Sequence, residues 1–134
     1  IMRLADNVMR GDFLQDVYQN IGFVYKIDED IHIQLLNDGP DVQSAHDSIS
    51  PVKLTKDFLK KNMYCDLSTN TDYKEYSYED EDPDGIGIYV RAYNDGTFYA
   101  EATDRTGSFP KDIQYVHELQ HIFKEFGVQI DWVL

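Results

Sequence analysis

Residues 117–121 carry the sharpest chemical motif in the sequence. They read His-Glu-Leu-Gln-His, the H-E-x-x-H pattern of zinc hydrolases. In that chemistry His117 and His121, one helical turn apart, bind a zinc ion, and Glu118 acts as general base on a zinc-bound water. One interpretation of the sequence is therefore a small zinc-dependent hydrolase with Glu118 as its catalytic residue.

The surroundings of this motif favour a helix surface over a metal centre. The apolar residues of the predicted helix centre on Leu119 and Phe123, which predicts that the two histidines and the glutamate lie on the opposite, solvent-exposed face. Only thirteen residues follow His121, so a third ligand would have to come from a distant residue such as His32 or His46. We therefore expect neither a bound metal nor a cofactor at this pair.

A second motif, over residues 80–85, has the spacing of a cation-binding loop. Asp80, Asp82 and Asp84 alternate and precede Gly85, as in the first half of a calcium loop. The twelfth position of such a loop is Arg91, where a bidentate glutamate is required. The pattern is thus more typical of a turn between strands, and we expect at most weak cation binding there.

The acidic and aromatic segment 72–84 is the best candidate for a binding surface. It contains seven carboxylates, three tyrosines and a single lysine. Tyrosine is favoured at interfaces, and carboxylates at strand spacing could follow the phosphate track that a basic groove expects. The alternative is a soluble edge strand whose charges block aggregation. The predicted binding residues are Asp72, Tyr73, Glu75, Tyr76, Tyr78, Glu79, Asp80, Glu81, Asp82 and Asp84.

The elements that must position these residues predict an α+β fold. We expect one domain over residues 1–134, with a small β unit over about 3–50 and a second part over about 51–134. In the first part, residues 23–27 and 31–35 predict two strands joined by a polar turn, and residues 41–48 a loop.

The second part is predicted to be a β-meander packed on one amphipathic helix. The expected order is a short helix over 55–62, a meander over 72–103 with a turn at 94–96, a helix over 110–126 that ends at Gly127, and a final strand over 128–133. Val116, Leu119, Phe123 and Trp132 are expected in the core.

Composition narrows the classes of function. The chain has 12 Lys+Arg and 25 Asp+Glu, a net charge of −13, and no apolar run of ~20 residues. The charge argues against direct binding to nucleic acid, which requires clustered basic residues. It favours a surface that imitates nucleic acid and occupies a basic site on another protein. The single Cys65 cannot form an internal disulfide, which fits a reducing compartment.

Two segments resemble a known group of proteins. Residues 49–59, I-S-P-V-K-L-T-K-D-F-L, resemble an I-x-P-I-P-L-T-x-E-x-L segment, and residues 115–123, Y-V-H-E-L-Q-H-I-F, resemble Y-V-H-Q-L-Q-N-L-Y/F. Both recur, in this order, in small uncharacterised proteins of Bacteroidetes phages and conjugative elements. The resemblance implies a mobile-element origin and the cytoplasm of a bacterial host, and it brings no activity. Glu118 and His121 replace the Gln and Asn usual in that family.

Together these features predict a non-enzymatic acidic protein of a phage or mobile element. We expect it to bind the basic surface of a host protein, for example as an inhibitor of a defence or nucleic-acid-processing protein, and to bind neither nucleic acid nor a membrane directly. The alternatives are the zinc hydrolase above and a housekeeping module of the element with an unknown ligand.

Overall fold

The computed structural model describes residues 8–16, 18–36, 42–44, 49–65, 71–79 and 85–134. Within these ranges the chain forms two five-stranded antiparallel sheets and two helices, which confirms the predicted α+β class. In chain order the elements are β1 Phe13–Gln15, β2 Ile21–Ile27, β3 Ile31–Leu35, β4 Val42–Ser44, β5 Ser50–Pro51, α1 Lys56–Asn62, β6 Tyr64–Cys65, β7 Tyr73–Glu79, β8 Gly87–Tyr93, β9 Phe98–Asp104, β10 Gly107–Ile113 and α2 Val116–Glu125.

The chain divides into two compact units. The first unit contains residues 1–53 and 115–121, and the second contains residues 54–114 and 122–134. The first boundary between the two units, after Lys53, lies close to the boundary predicted between the two parts of the chain at residue 51. The assignment of residues 115–121 to the first unit depends on long-range contacts, which sequence periodicity does not report.

The first unit is built on the sheet β4-β3-β2-β1-β5. The predicted strands over 23–27 and 31–35 are confirmed as β2 and β3. Alternate residues of each strand are buried, as expected for a sheet with one apolar face. The buried cluster comprises Val8, Leu14, Val24, Ile31, Ile33, Leu35 and Ile49.

The loop predicted over residues 41–48 is wrong for Val42–Ser44. These residues form β4, which pairs with β3 through backbone hydrogen bonds. A short strand can pair through its backbone whatever its side chains are, so the composition of this stretch did not indicate β4. The other residues of that stretch lie outside the described part of the chain.

The second unit contains the sheet β10-β9-β8-β7-β6. The predicted meander, the turn at 94–96 and the short helix are all confirmed. The Thr55 hydroxyl accepts a hydrogen bond of 3.1 Å from the backbone N–H of Phe58, so Thr55 is the N-cap of α1.

The predicted start of the long helix is wrong. Residues 107–113 form β10, which pairs with β9 along all seven residues, and α2 begins only at Val116. The continuous ladder with β9 overrides the apparent helical spacing of Ile113, and Pro110 is tolerated because β10 is an edge strand. The predicted end is confirmed: Gly127 has φ 73°, and its backbone N–H donates to the carbonyl of Lys124.

The final strand predicted over residues 128–133 is also wrong. This segment forms neither a helix nor a strand. The Asn62 side chain replaces a strand partner, since its Nδ2 donates to the carbonyl of Val133 and its Oδ1 accepts from the Val133 N–H, each at 2.7 Å. Trp132 lies 5.7 Å from Phe58 and 4.7 Å from Phe123 between ring centres, which confirms its place beside the core.

Candidate functional site

The acidic strand β7 has two faces of different character. Tyr76 is only 3 % exposed, and Tyr78 packs edge-on against Phe123 at 5.6 Å between ring centres. Tyr73, Glu75 and Glu79 alternate with these tyrosines and therefore point to the other side of the sheet. The predicted binding surface is thus divided: of its three tyrosines, Tyr76 belongs to the core and Tyr78 is half-buried on the same side of the sheet.

The side of the sheet that carries Glu75 and Glu79 is an open, polar surface, hereafter the open face. Cross-strand partners place side chains of β7, β8, β9 and β10, together with Tyr64 of β6, on it, because paired residues share a face. All of these side chains are partly or fully exposed, whereas most residues of the opposite side are buried. The open face contains Tyr64, Tyr73, Glu75, Ser77, Glu79, Tyr89, Arg91, Tyr93, Tyr99, Glu101, Thr103, Ser108, Pro110 and Asp112.

Arg91 lies near the centre of the open face. Its Nε is 3.3 Å from Oε2 of Glu75, and its guanidinium carbon lies 4.8 Å from the ring centre of Tyr73 and 5.9 Å from that of Tyr99. A hydrogen bond with the Tyr93 side chain, followed by the bond to Glu75, raises the pKa of Arg91 against the opposing effect of burial. The guanidinium is therefore held as a fixed charge by one carboxylate and by tyrosine rings.

Two other carboxylates of the open face are positioned by hydroxyl groups. The Tyr89 hydroxyl donates to Oε1 of Glu79 at 3.0 Å, and the Ser108 hydroxyl donates to Oε1 of Glu101. Burial and the bond to Glu79 both raise the pKa of Tyr89, so its hydroxyl remains a donor at neutral pH. In the described part of the chain, no lysine or arginine lies within 4 Å of either carboxylate.

A shallow pocket of about 180 Å³ opens in the middle of the open face. It is lined by Glu75, Tyr89, Arg91, Tyr99 and Glu101. Of these residues only Glu75 was predicted from the sequence. The others could have been found from alternation, because polar residues at 89, 91, 99 and 101 alternate with apolar residues at 88, 90, 100 and 102.

The rest of the predicted binding set lies beside the open face or outside the described residues. Asp72 is exposed just before β7, and its carbonyl accepts the backbone N–H of Asn94 at 3.0 Å. The edge-strand alternative is wrong for Tyr76 and Ser77, which pair with Cys65 and Tyr64 of β6, and it stays a prediction for the rest of β7. Asp80, Glu81, Asp82 and Asp84, including the three residues of the predicted cation loop, lie outside the described residues.

The H-E-x-x-H residues do not lie on an exposed helix face, so that prediction is wrong. His117 is only 4 % exposed, and the side chain of His121 is 18 % exposed. Glu118 has a structural role as a helix cap, because its Oε1 accepts the backbone N–H of Tyr115 at 3.0 Å. The part of α2 that belongs to the first unit has buried polar residues because they bond to the backbone and to a carboxylate within that unit.

Those contacts lie between α2 and the segment at the start of β1. Gln120 Oε1 accepts the N–H of Phe13 at 2.8 Å, and Gln120 Nε2 donates to the carbonyl of Gly11 at 3.1 Å. His121 Nε2 lies 2.6 Å from Oδ2 of Asp12, whose side chain is 4 % exposed. The distant partner Asp12 could not be identified from spacing, because it is 109 residues away in the sequence.

Of the histidines considered as a third metal ligand, His32 has a local partner. His32 Nε2 lies 3.1 Å from Oδ1 of Asp28, and His46 lies outside the described residues. Within the ranges that the structure describes, no three His, Cys, Asp or Glu side chains converge so as to hold a metal ion.

Comparisons with known proteins add no family assignment. No family model, no curated protein and no solved structure matches the chain. In the described part of the chain neither helix is long and apolar enough to cross a bilayer.

Proposed function

We propose that this protein acts by binding, and that its open face docks on the basic surface of a host protein. The observation that carries the proposal is the charge of this face: Glu75, Glu79, Glu101 and Asp112 share it with Arg91 as the only basic residue among its described members. Such a surface attracts a partner rich in Lys and Arg, including one that normally binds nucleic acid.

The tyrosines supply the contact area that charge alone does not. Tyr73, Tyr89, Tyr93 and Tyr99 are partly exposed on the same face, and each presents a ring with a polar tip. Rings of this kind are enriched at the centres of interfaces because they bury large area with little loss of side-chain entropy. Carboxylates between the rings then favour a basic partner over a neutral one.

The size of the open face predicts a rapidly formed, salt-sensitive complex. Four strands at ~4.8 Å spacing and about seven residues long cover roughly 400 Å², about half of what each partner buries in a standard interface. Electrostatic attraction between the two proteins must therefore contribute much of the binding free energy. Salt screens this attraction beyond about 10 Å at moderate ionic strength, so the affinity should fall as salt rises.

A pull-down from a Bacteroidetes lysate, the origin that the resemblance predicts, tests this proposal. The bait is the full chain, and the face variant combines Glu79→Gln, Glu101→Gln and Asp112→Asn. A matched control combines Glu29→Gln, Glu125→Gln and Asp131→Asn, three exposed positions that are not members of the open face. Both variants change the net charge from −13 to −10, so they differ only in where the charge is removed.

We expect to capture a basic protein that binds the wild type and the control variant at low salt. The same protein should dissociate at high salt and should not bind the face variant. Equal capture by the face variant and the control variant would contradict the proposal. A partner that remains bound at high salt and to all three baits would also contradict it.

A further inference from the structure

The pocket at the centre of the open face has a lining that selects one kind of side chain. We propose that it receives an arginine side chain of the partner protein. This inference rests on the proposed function above and adds the chemistry by which the partner is recognised. The pocket's volume of about 180 Å³ suits the end of one side chain and excludes a folded segment.

The protein's own Arg91 shows how a guanidinium binds on this surface. It lies over the ring of Tyr73 and beside that of Tyr99, and its Nε pairs with Glu75. The same combination of tyrosine rings and a carboxylate continues across the pocket, where Tyr89 and Tyr99 flank Glu101. A second guanidinium can therefore bind as Arg91 does, on the side of the pocket that Arg91 does not occupy.

Charge in the pocket favours a cation. Its lining contains two carboxylates and one guanidinium, and Arg91 pairs with Glu75. Glu101 is held by the Ser108 hydroxyl, and no basic side chain of the described residues lies within 4 Å of it. An anion would lie between Glu75 and Glu101 and be repelled, whereas a cation would pair with Glu101.

The geometry further favours arginine over lysine. A guanidinium is planar, stacks on a tyrosine ring and donates two parallel hydrogen bonds to a carboxylate. An ammonium group is a compact, strongly hydrated point charge that gains less from the rings. The pocket should therefore bind an arginine peptide more tightly than a lysine peptide of equal charge, whereas electrostatic attraction alone would not distinguish them.

Binding of hexa-arginine and hexa-lysine peptides to the full chain, measured by calorimetry, tests this inference. We expect the wild type to bind hexa-arginine about three- to tenfold more tightly than hexa-lysine. Glu101→Gln and, separately, Tyr99→Leu should remove most of this preference. Asp112→Asn is the matched control: it removes one charge from the open face outside the pocket lining, so it should weaken both peptides alike and keep the preference.

The outcomes separate this inference from the proposed function. Equal affinity of the wild type for the two peptides, or a preference that survives Glu101→Gln, would overturn the arginine pocket and leave a general basic-partner surface. If neither peptide bound the wild type, both proposals would fall. Thermal unfolding of each variant checks that Tyr99→Leu is folded, and the isosteric Glu101→Gln gives the same test without a change of volume.

Discussion

Oδ2 of Asp12 lies 2.6 Å from Nε2 of His121, although 109 residues separate them in the sequence. Asp12 also accepts the backbone N–H of Met9 at 2.8 Å, so its carboxylate joins the start of the first sheet to α2. Gln120, the neighbour of His121, bonds to the backbone of Gly11 and Phe13. The residues that resemble a zinc motif thus hold residues 11–13 in place through hydrogen bonds within the first unit.

This arrangement predicts that Gln120→Ala destabilises the protein. The substitution leaves the Phe13 N–H and the Gly11 carbonyl without their side-chain partner, and the Phe13 bond is buried. We expect a loss of about 1–3 kcal/mol in the free energy of unfolding. Urea titration measures it, with the exposed Gln129→Ala as control, which should change stability by less than about 0.5 kcal/mol. Equal stability of the two variants would show that these bonds contribute nothing.

Zinc provides a second test of the same helix face. Because His121 pairs with Asp12 and Glu118 caps the helix, we expect one equivalent of Zn²⁺ to leave Tm unchanged. A ligand that binds only the native state would raise Tm. An increase that disappears in His121→Gln, or a hydrolase activity lost in Glu118→Gln, would instead support the hydrolase alternative.

Buried apolar positions were predictable from the sequence because burial follows periodicity. Val116, Leu119 and Phe123 are each at most 1 % exposed, as their helical spacing indicated. Strand pairing was less predictable: the ladder between β9 and β10 displaced the expected start of α2 by six residues, from 110 to 116. The pairing partner of a strand is set by distant residues, and a local pattern contains no information about it.

The candidate site was only partly predictable for the same reason. The acidic segment predicts Glu75 and Glu79, but strand alternation separates its tyrosines: Tyr76 is buried and Tyr78 is half-buried against Phe123, on the side opposite Tyr73. Arg91 and Glu101 join the site through cross-strand pairing rather than through proximity in the sequence.

The C-terminal segment gives a prediction that uses the single tryptophan as its own probe. Asn62→Ala removes both hydrogen bonds to Val133 and should loosen the contact of Trp132 with Phe58. We expect a red shift of the Trp132 fluorescence and a loss of about 0.5–1.5 kcal/mol in the free energy of unfolding. Unchanged emission in Asn62→Ala would contradict this role.

Asp28 gives a prediction about pH. The backbone N–H of Asp30, followed by the side chain of His32, lowers the pKa of Asp28 from 3.8 to about 2. A lowered pKa means that the folded state favours the ionised carboxylate. The stabilisation is therefore complete above pH 3.8 and is lost as the pH falls through about 2.

A carboxyl-carbon NMR titration measures this midpoint directly. In His32→Asn the bond from Asp30 remains, so the midpoint should rise only part of the way towards 3.8. A wild-type midpoint at 3.8 would show that these hydrogen bonds do not form in solution.

The most direct test of the open face as the binding surface is the rate at which the captured partner associates with the protein. Surface plasmon resonance would compare the wild type, the face variant and the matched control variant at low and at high salt. Because the open face is proposed to attract its partner over a distance, the face variant should associate about tenfold more slowly than the wild type at low salt. The control variant should stay within about twofold of the wild type, and all three rates should converge at high salt. Equal rates for the face variant and the control variant at low salt would contradict the claim that the open face is the binding surface.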